Sequence, residues 1–479
     1  MNLIEKIFDT TISIMEGALK LGFEMAEMVF SGIPKKKEGY KAEFASQGSL
    51  LSSRQYGFCL TGDKNLSVKN SYQNALIVGG TGVGKSSIVL IPSLFTMKGS
   101  FVIHDPSGEL YNKSAGYLKE KGYLIKQLNF SNPIASSGFN PLQRANTSSE
   151  INKVSSMLVQ NALGGNGNSK DPFWHNQAIS LIAMLITLLK KQDKQYQNLY
   201  NLRLLLNAMG GNPKQIDKLF SKHADENLFT EYKSFLAYDE KVMSGTIASC
   251  KAALQTFSDE AIARVTSTDS IDMQEFRNKL TALYIQNSVA DQKYYSTLTS
   301  IFTEQFFSHI LSRFPNESEN DVWFLIDECS SLILPTLPLA VANVRKHRSG
   351  IMLIVQDFAQ IIHNYGRHEA EAIKSNCFAK MFFTGQSLET SRELEQTLGR
   401  FEYENKEGKK IIRELMTRDE IRTMKINRAL LVCGHHSPIL ARLKPYYQSR
   451  LFRLYSELPP PVLPSCLSDA LPALTLNDN

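Results

Sequence analysis

The chain has 479 residues, 43% hydrophobic and 21% charged, with a net charge of +6. That balance is an ordinary globular one, long enough to bury a large core in two or three domains or in one large domain with insertions, and its mild positive charge permits contact with a polyanion without requiring it. Six cysteines, Cys59, Cys250, Cys329, Cys377, Cys433 and Cys466, follow neither a metal-ligand nor a disulfide-framework spacing, which predicts buried thiols in a reducing compartment.

Residues 1–38 are apolar-rich but interrupted by Glu5, Lys6, Asp9, Glu16, Lys20, Glu24 and Glu27. They fall short of the roughly 18–20 uninterrupted apolar residues of a spanning helix, and they lack the positive start and pure apolar run of a signal peptide. The segment reads as an amphipathic helix that packs on its own domain or a neighbouring subunit, with an interfacial membrane helix as the alternative. The basic stretch PKKKEGYK marks its boundary.

From residue 39 onward, apolar strand-like runs alternate with helical stretches, the pattern of an α/β fold with a mainly parallel sheet. The first two runs, NALIV and SFVIH, flank a glycine loop, and YLIKQL follows them. Residues 39–172 are read as the first part of a nucleotide-binding domain. Residues 173–270 offer no comparable strand, are rich in helix formers and charges, and follow the flexible-looking GGNGNSK; they are read as an inserted all-α domain. Its apolar run AISLIAMLITLL is too short for a span and is expected to be a core helix. Residues 271–455 return to the sheet through LTALYIQ, VWFLID, IMLIVQ, FAKMFFTG and RALLVCG. The proline-rich tail, 456–479, is expected to be disordered.

The glycine loop carries the chemistry. Gly79, Gly80, Thr81, Gly82, Val83, Gly84, Lys85, Ser86 and Ser87 fit G-x-x-x-x-G-K-[ST] between a strand and a helix, the context in which successive backbone N–H groups and the helix dipole cradle phosphates. Lys85 is placed to neutralise the β- and γ-phosphates of ATP, and the Ser86 hydroxyl to ligate Mg²⁺. Pro92 is expected to kink or shorten the helix after about two turns. At the end of VWFLID, Asp327 would hold Mg²⁺ through water, and Glu328 would orient or deprotonate the attacking water, the arrangement of a hydrolytic motor. Gln356 ends the next buried strand, where an amide can reach the γ-phosphate or the water. Arg345, with Arg348 as the alternative, is a candidate to reach a neighbouring subunit's nucleotide as an arginine finger. Charge runs such as NPKQIDKLFSKH and ENKEGKK read as solvated faces.

Six blocks in order resemble one family. FVIHDPSGELYNKSAGYLKEKGY, GFNPL, DPFWHNQA, FLIDECSSL, IVQDFAQI, and the closing pair RELMTRDEIRTM and ALLVCGHHSPILARLKPYY are similar to the signposts of type IV secretion coupling proteins of the TraG/TraD type, conjugative DNA-transfer ATPases of the FtsK/HerA-like motor group. The resemblance spans roughly Gly57 to Tyr447. It implies a RecA-like P-loop domain with an inserted all-α domain, assembly as a homo-hexamer, and partners comprising DNA bound without regard to sequence, a relaxase and the channel components of the secretion system. It also implies that Lys85, Ser86, Asp327, Glu328 and Gln356 fall on the family's phosphate, magnesium, acidic-pair and sensor positions, with Arg345 near its trans-acting arginine.

The departure is at the N-terminus, where family members typically carry transmembrane helices and this sequence shows none. A cytoplasmic protein peripheral to the inner membrane is therefore expected, held by a separate membrane-anchor protein, docked by its own amphipathic helix, or not anchored. Three functions stay open: a coupling ATPase that moves a relaxase–DNA substrate, a coupling receptor for protein effectors with little DNA pumping, and a cellular FtsK/HerA-like DNA-processing ATPase.

Overall fold

The computed structural model describes residues 40–163, 172–287, 291–465 and 471–475. The helix expected over 1–38 and the GGNGNSK stretch lie outside the described residues. Each strand run read from the sequence is a strand: β1 Ala75–Val78, β2 Ser100–His104, β3 Leu124–Asn129, β4 Thr281–Gln286, β5 Val322–Ile326, β6 Ser349–Val355 and β7 Ala379–Phe383. After a separate hairpin, β8 Arg400–Glu404 and β9 Lys410–Glu414, come β10 Arg428–Cys433 and β11 Ile439–Arg442. The nine-stranded sheet has the order β11-β10-β7-β1-β6-β5-β2-β4-β3. β1 to β7 are parallel, and β10 and β11 add an antiparallel edge.

The central strands are buried along their whole length, as a parallel sheet covered on both faces requires. That is why they read as continuous apolar runs rather than alternating ones. Covering helices include α1 (Ser86–Thr96) and α2 (Glu109–Glu120). Trp323 on β5 stacks on Tyr72 with centroids 5.3 Å apart, meets the Phe58 ring edge-on, and donates its indole N–H to the Lys98 carbonyl at 2.6 Å. Its size and its satisfied polar group suit it to this buried place.

Between β3 and β4 lie α3 (Ser148–Leu163), α4 (Pro172–Leu189), α5 (Leu199–Gly211), α6 (Pro213–His223), α7 (Glu226–Leu236), α8 (Glu240–Ala253) and α9 (Glu260–Val265). The helical run thus starts at Ser148, before the expected residue 173. α4 is long and apolar enough, by length and composition alone, to cross a membrane. In the fold it packs against α3, α5 and α8 with Leu181, Ile182, Leu185, Ile186, Leu188 and Leu189 buried, the situation of a core helix. In α6 only Ile216 and Phe220 are buried, so the charge run NPKQIDKLFSKH is a solvated face. After β4 the long α10 (Gln292–Leu311) leads toward β5, α11 (Phe358–Ser375) follows β6, and α12 (Arg450–Ser456) closes the described sheet region.

ENKEGKK is solvated, as its charge implied, and forms a hairpin turn in which Asn405 N–H donates to Lys409 O at 3.0 Å and Gly408 takes a φ of +74°. Together with residues 40–42 this hairpin forms its own unit, where Lys41 bridges Phe401. The tail expected to be disordered from 456 packs along its described stretches: Leu458 and Leu463 lie against the core, and the Tyr111 hydroxyl donates to the Pro461 carbonyl at 2.7 Å. Proline-rich composition hid this because such a segment can be held through its carbonyls without any regular secondary structure.

Candidate active site

The candidate residues other than Arg345 gather where the parallel strands end. β1 runs into the glycine loop, whose Gly82 and Gly84 take φ values of +79° and +93°, a region in which a Cβ would be strained. Gly79 N–H donates to the Val355 carbonyl at 3.1 Å, so the loop's first residue lies beside the end of β6. Ser87 Oγ donates to the Gly84 carbonyl at 3.1 Å, while Thr81 and Gly82 are exposed. α1 opens with a π-turn over Ser86–Leu90 and becomes α-helical at Ile91, one residue before Pro92. Pro92 therefore falls at the start of the α segment, where its missing N–H is tolerated, and the helix carries on to Thr96 instead of breaking earlier.

The Lys85 ammonium donates to the Gly79 and Gly80 carbonyls at 2.6 and 2.7 Å. Burial lowers its pKa, against the opposing pull of Asp327 and Glu328. Asp327 stands at the end of β5, and its carboxyl accepts from the Glu328 N–H at 3.1 Å. Burial pushes that carboxyl up to about 7, helped by the charges of Glu328 and Asp105 and opposed by Lys85. The Lys85 ammonium thus lies within electrostatic reach of the Asp327 and Glu328 carboxyls.

Glu328 has a φ of +50° and a ψ of +47°, a left-handed conformation rare outside glycine and asparagine. Its carbonyl is fixed by Ser331, whose N–H and hydroxyl both donate to it, at 2.9 and 2.8 Å. A strained backbone held by its surroundings at such a position is a mark of function. Gln356 follows β6, is exposed, and donates its N–H to Gln360 Oε1 at 3.2 Å. Because β6 neighbours β1, Gln356 and the loop share one edge of the sheet.

Arg345 is not brought to this edge. It lies in the turn Val344–His347 that precedes β6, so the length of that strand, about 20 Å for its seven residues, separates it from the loop of its own chain. Its guanidinium is exposed and donates to Gln73 Oε1 at 3.4 Å. Arg348 is committed elsewhere: it pairs with Asp321 at 2.8 Å and donates to the Asn316 and Glu317 carbonyls. The same turn is braced by Arg277, which is buried and donates to the His347 and Asn320 carbonyls at 2.6 and 2.9 Å.

Sequence reasoning passed over three residues of this edge. His104, the last residue of β2, is buried, and its Nδ1 lies 2.6 Å from the Asp327 carbonyl oxygen. Burial pushes its imidazole down to about 4, against that hydrogen bond. Asp105 is fully buried and accepts from the N–H groups of Leu110 and Tyr111 at 3.2 and 2.8 Å, closing the start of α2. Asp-Pro-x-Gly is a turn signal, but Asp105 lies three residues before the Gly108 N-cap, so the ordinary capping pattern did not mark it. Gln386, beyond β7, donates to the Val78 and Phe383 carbonyls at 3.1 and 2.8 Å and ties the strand that feeds the loop to its neighbour. Nothing local in the sequence marked it.

A family model described as type IV secretory system conjugative DNA transfer matches residues 27–468. The chain belongs to that family. Among curated relatives it is similar to Protein VirD4 of Agrobacterium fabrum, 21% identical over 86% of this chain and 63% of the relative, and to the conjugal transfer protein TraG of Escherichia coli, 23% identical over 68% and 55%. The chain thus spans under two thirds of the length of these relatives. Among solved structures it resembles the plasmid coupling protein TrwB in complex with ADP and Mg²⁺, with a TM-score of 0.67 and 19% identity over 86% of this chain and 96% of that one. The fold is accordingly that of the family: an α/β P-loop domain of the RecA-like kind with a helical insertion.

Proposed function

We propose that this chain is the coupling ATPase of a type IV secretion or conjugation system, hydrolysing ATP to recruit a relaxase–DNA substrate and move it toward the secretion channel. The observation that carries the reading is the meeting, at one edge of the sheet, of the glycine loop with Lys85 and of Asp327 with the strained Glu328. Among the described residues no three His, Cys, Asp or Glu side chains form a metal cage. A Ser86 hydroxyl and an Asp327 carboxylate suit instead a hard cation that keeps its waters and takes further oxygens from phosphates, as Mg²⁺ does. Bound there with ATP, Mg²⁺ would neutralise phosphate charge.

Lys85, now resting on the Gly79 and Gly80 carbonyls, would exchange them for β- and γ-phosphate oxygens. Glu328 would hold the water in line with the γ-phosphorus and take its proton as the bond to the β–γ bridging oxygen breaks, leaving ADP and phosphate. Gln356 would steady the γ-phosphate or that water. The position of Arg345, at the far edge of its own sheet and exposed, supports action on a neighbour's nucleotide, which a homo-hexameric ring would provide.

The experiment is ATP turnover by the purified protein with and without single- and double-stranded DNA, with Lys85→Ala as the blank. Turnover stimulated by DNA and lost in the blank is the expected result. Turnover indifferent to DNA would replace DNA pumping by the reception of protein effectors on the same core, and turnover surviving in Lys85→Ala would remove the loop from the site. The membrane arrangement is part of the same proposal: a motor on the cytoplasmic side, peripheral to the inner membrane.

A further inference from the structure

The described C-terminal stretches are held at two places. Beyond α12 the chain crosses α2 at Gly116, where a Cβ would come within 2.4 Å of the Leu458 carbonyl oxygen and 2.5 Å of that of Pro459. Glycine lets the main chain lie directly on the helix there, and Tyr111, on the same helix, donates its hydroxyl to Pro461. Residues 471–475 are held on α5, in the helical insertion. Asn201 donates Nδ2–H to the Pro472 carbonyl at 2.8 Å, and its Oδ1 accepts the Leu474 N–H at 2.7 Å.

Asn201 is fully buried, and Asn198 Oδ1 accepts from both its N–H and its side-chain amide, at 2.9 and 3.1 Å. That pair of bonds orients the amide. A buried amide left without partners costs about 1–3 kcal/mol, so the tail's main chain completes this residue. The pattern is that of strand pairing. In an extended chain the carbonyl of one residue and the N–H two residues on point to the same side, and a parallel partner meets them with one N–H and one C=O. The Asn201 amide offers that same donor and acceptor. Pro472 fits, since its carbonyl is used and its missing N–H is not, and its fixed φ favours the extended form.

We propose that α5 carries a docking site for an extended main chain, read by the Asn201 amide, and that residues 471–475 fill it in cis, so that the C-terminal segment clasps the helical insertion to α2 of the nucleotide-binding sheet. Tethering raises the local concentration of the segment to about the millimolar range, which favours its own chain over a second copy. The clasp bears on α2, whose first turn is closed by Asp105 beside the acidic pair, so it links the insertion to the edge that holds the site. The inference stands on these contacts and does not rest on the proposed function.

The test is amide hydrogen exchange at Leu474 in the full chain, compared with a free peptide of sequence Leu-Pro-Ala-Leu-Thr. Slowing of about tenfold or more is expected, unchanged on dilution, and returning to the free-peptide rate in Asn201→Ala while the Leu202 and Leu205 amides of α5 stay protected. Exchange at the free-peptide rate in the wild-type chain would overturn the proposal, whatever the variant does to folding. Protection that appears only at high concentration, with a doubled mass, would overturn docking in cis and assign the site to a second copy's segment.

Discussion

Glu328 pairs the side chain proposed to take the water's proton with a backbone that its residue type disfavours, by about 1–2 kcal/mol in the left-handed region. Two substitutions separate these properties. Glu328→Gln is expected to keep nucleotide affinity within a few-fold while turnover falls about a hundredfold or more, the usual range for a lost proton acceptor. Glu328→Gly should be as inactive yet melt at a higher temperature than Glu328→Gln, because glycine takes the same φ without strain; a lower melting temperature would count against stored strain. Near the turn that presents Arg345, Glu319 accepts from Arg313 at 2.9 Å and from the Asn316 N–H at 2.8 Å. The hydrogen bond from Arg313 leads in lowering its carboxyl from the ordinary 4.5 to about 2. A depressed folded-state pKa gives stability that is present above pH 4.5 and lost as pH falls toward 2. The difference in urea midpoint between wild type and Glu319→Gln should therefore shrink over that window, and a difference that is flat with pH would refute the pairing.

At the scale of elements, α2 depends on a residue outside it. Asp105 satisfies two N–H groups of the first turn, and Gly108, at a φ of +72°, makes the turn that brings it there. Asp105→Ala leaves both groups unpaired, the Leu110 N–H buried and the Tyr111 N–H partly so, at about 1–3 kcal/mol for the buried one. A melting temperature lower by several degrees is expected, read by calorimetry, and Asp105→Asn, which keeps one acceptor, should recover part of it. Apolar runs identified the strands well because burial on both faces leaves no alternation to misread. β11, with only four residues of ILAR, and the charged hairpin β8–β9 escaped, since short or solvated strands carry little apolar signal. The tail escaped for a different reason: apart from Leu458 and Leu463, it is held through main-chain groups, which are the same in every sequence.

For the whole molecule, the position of Arg345 makes a ring-level prediction. If each active interface joins one subunit's Glu328 to the next subunit's Arg345, then Arg345→Ala and Glu328→Gln are each inactive alone. An equal mixture should restore activity at about a quarter of the interfaces, those where an intact glutamate faces an intact arginine. ATP turnover as a function of mixing ratio checks this, and its absence at every ratio would remove Arg345 from the reaction. Arg348 is no substitute, since its guanidinium is spent on Asp321 and two carbonyls.

The phosphate loop is legible in the linear chain, because strand, glycine turn, lysine and helix follow one another and need only local geometry. The sequence also marked Asp327, Glu328 and Gln356 as strand-end residues, since apolar runs show where buried strands stop. Which strands are neighbours was decided by the tertiary structure. β6 lies beside β1, and β5 beside β6, although some 240 residues of chain separate the loop from the acidic pair. That order depends on how side chains from distant segments fill the two faces of the sheet, which no local pattern encodes. The same order sets Gln356 beside the loop and leaves Arg345 at the opposite edge, because the two residues stand at the two ends of one strand.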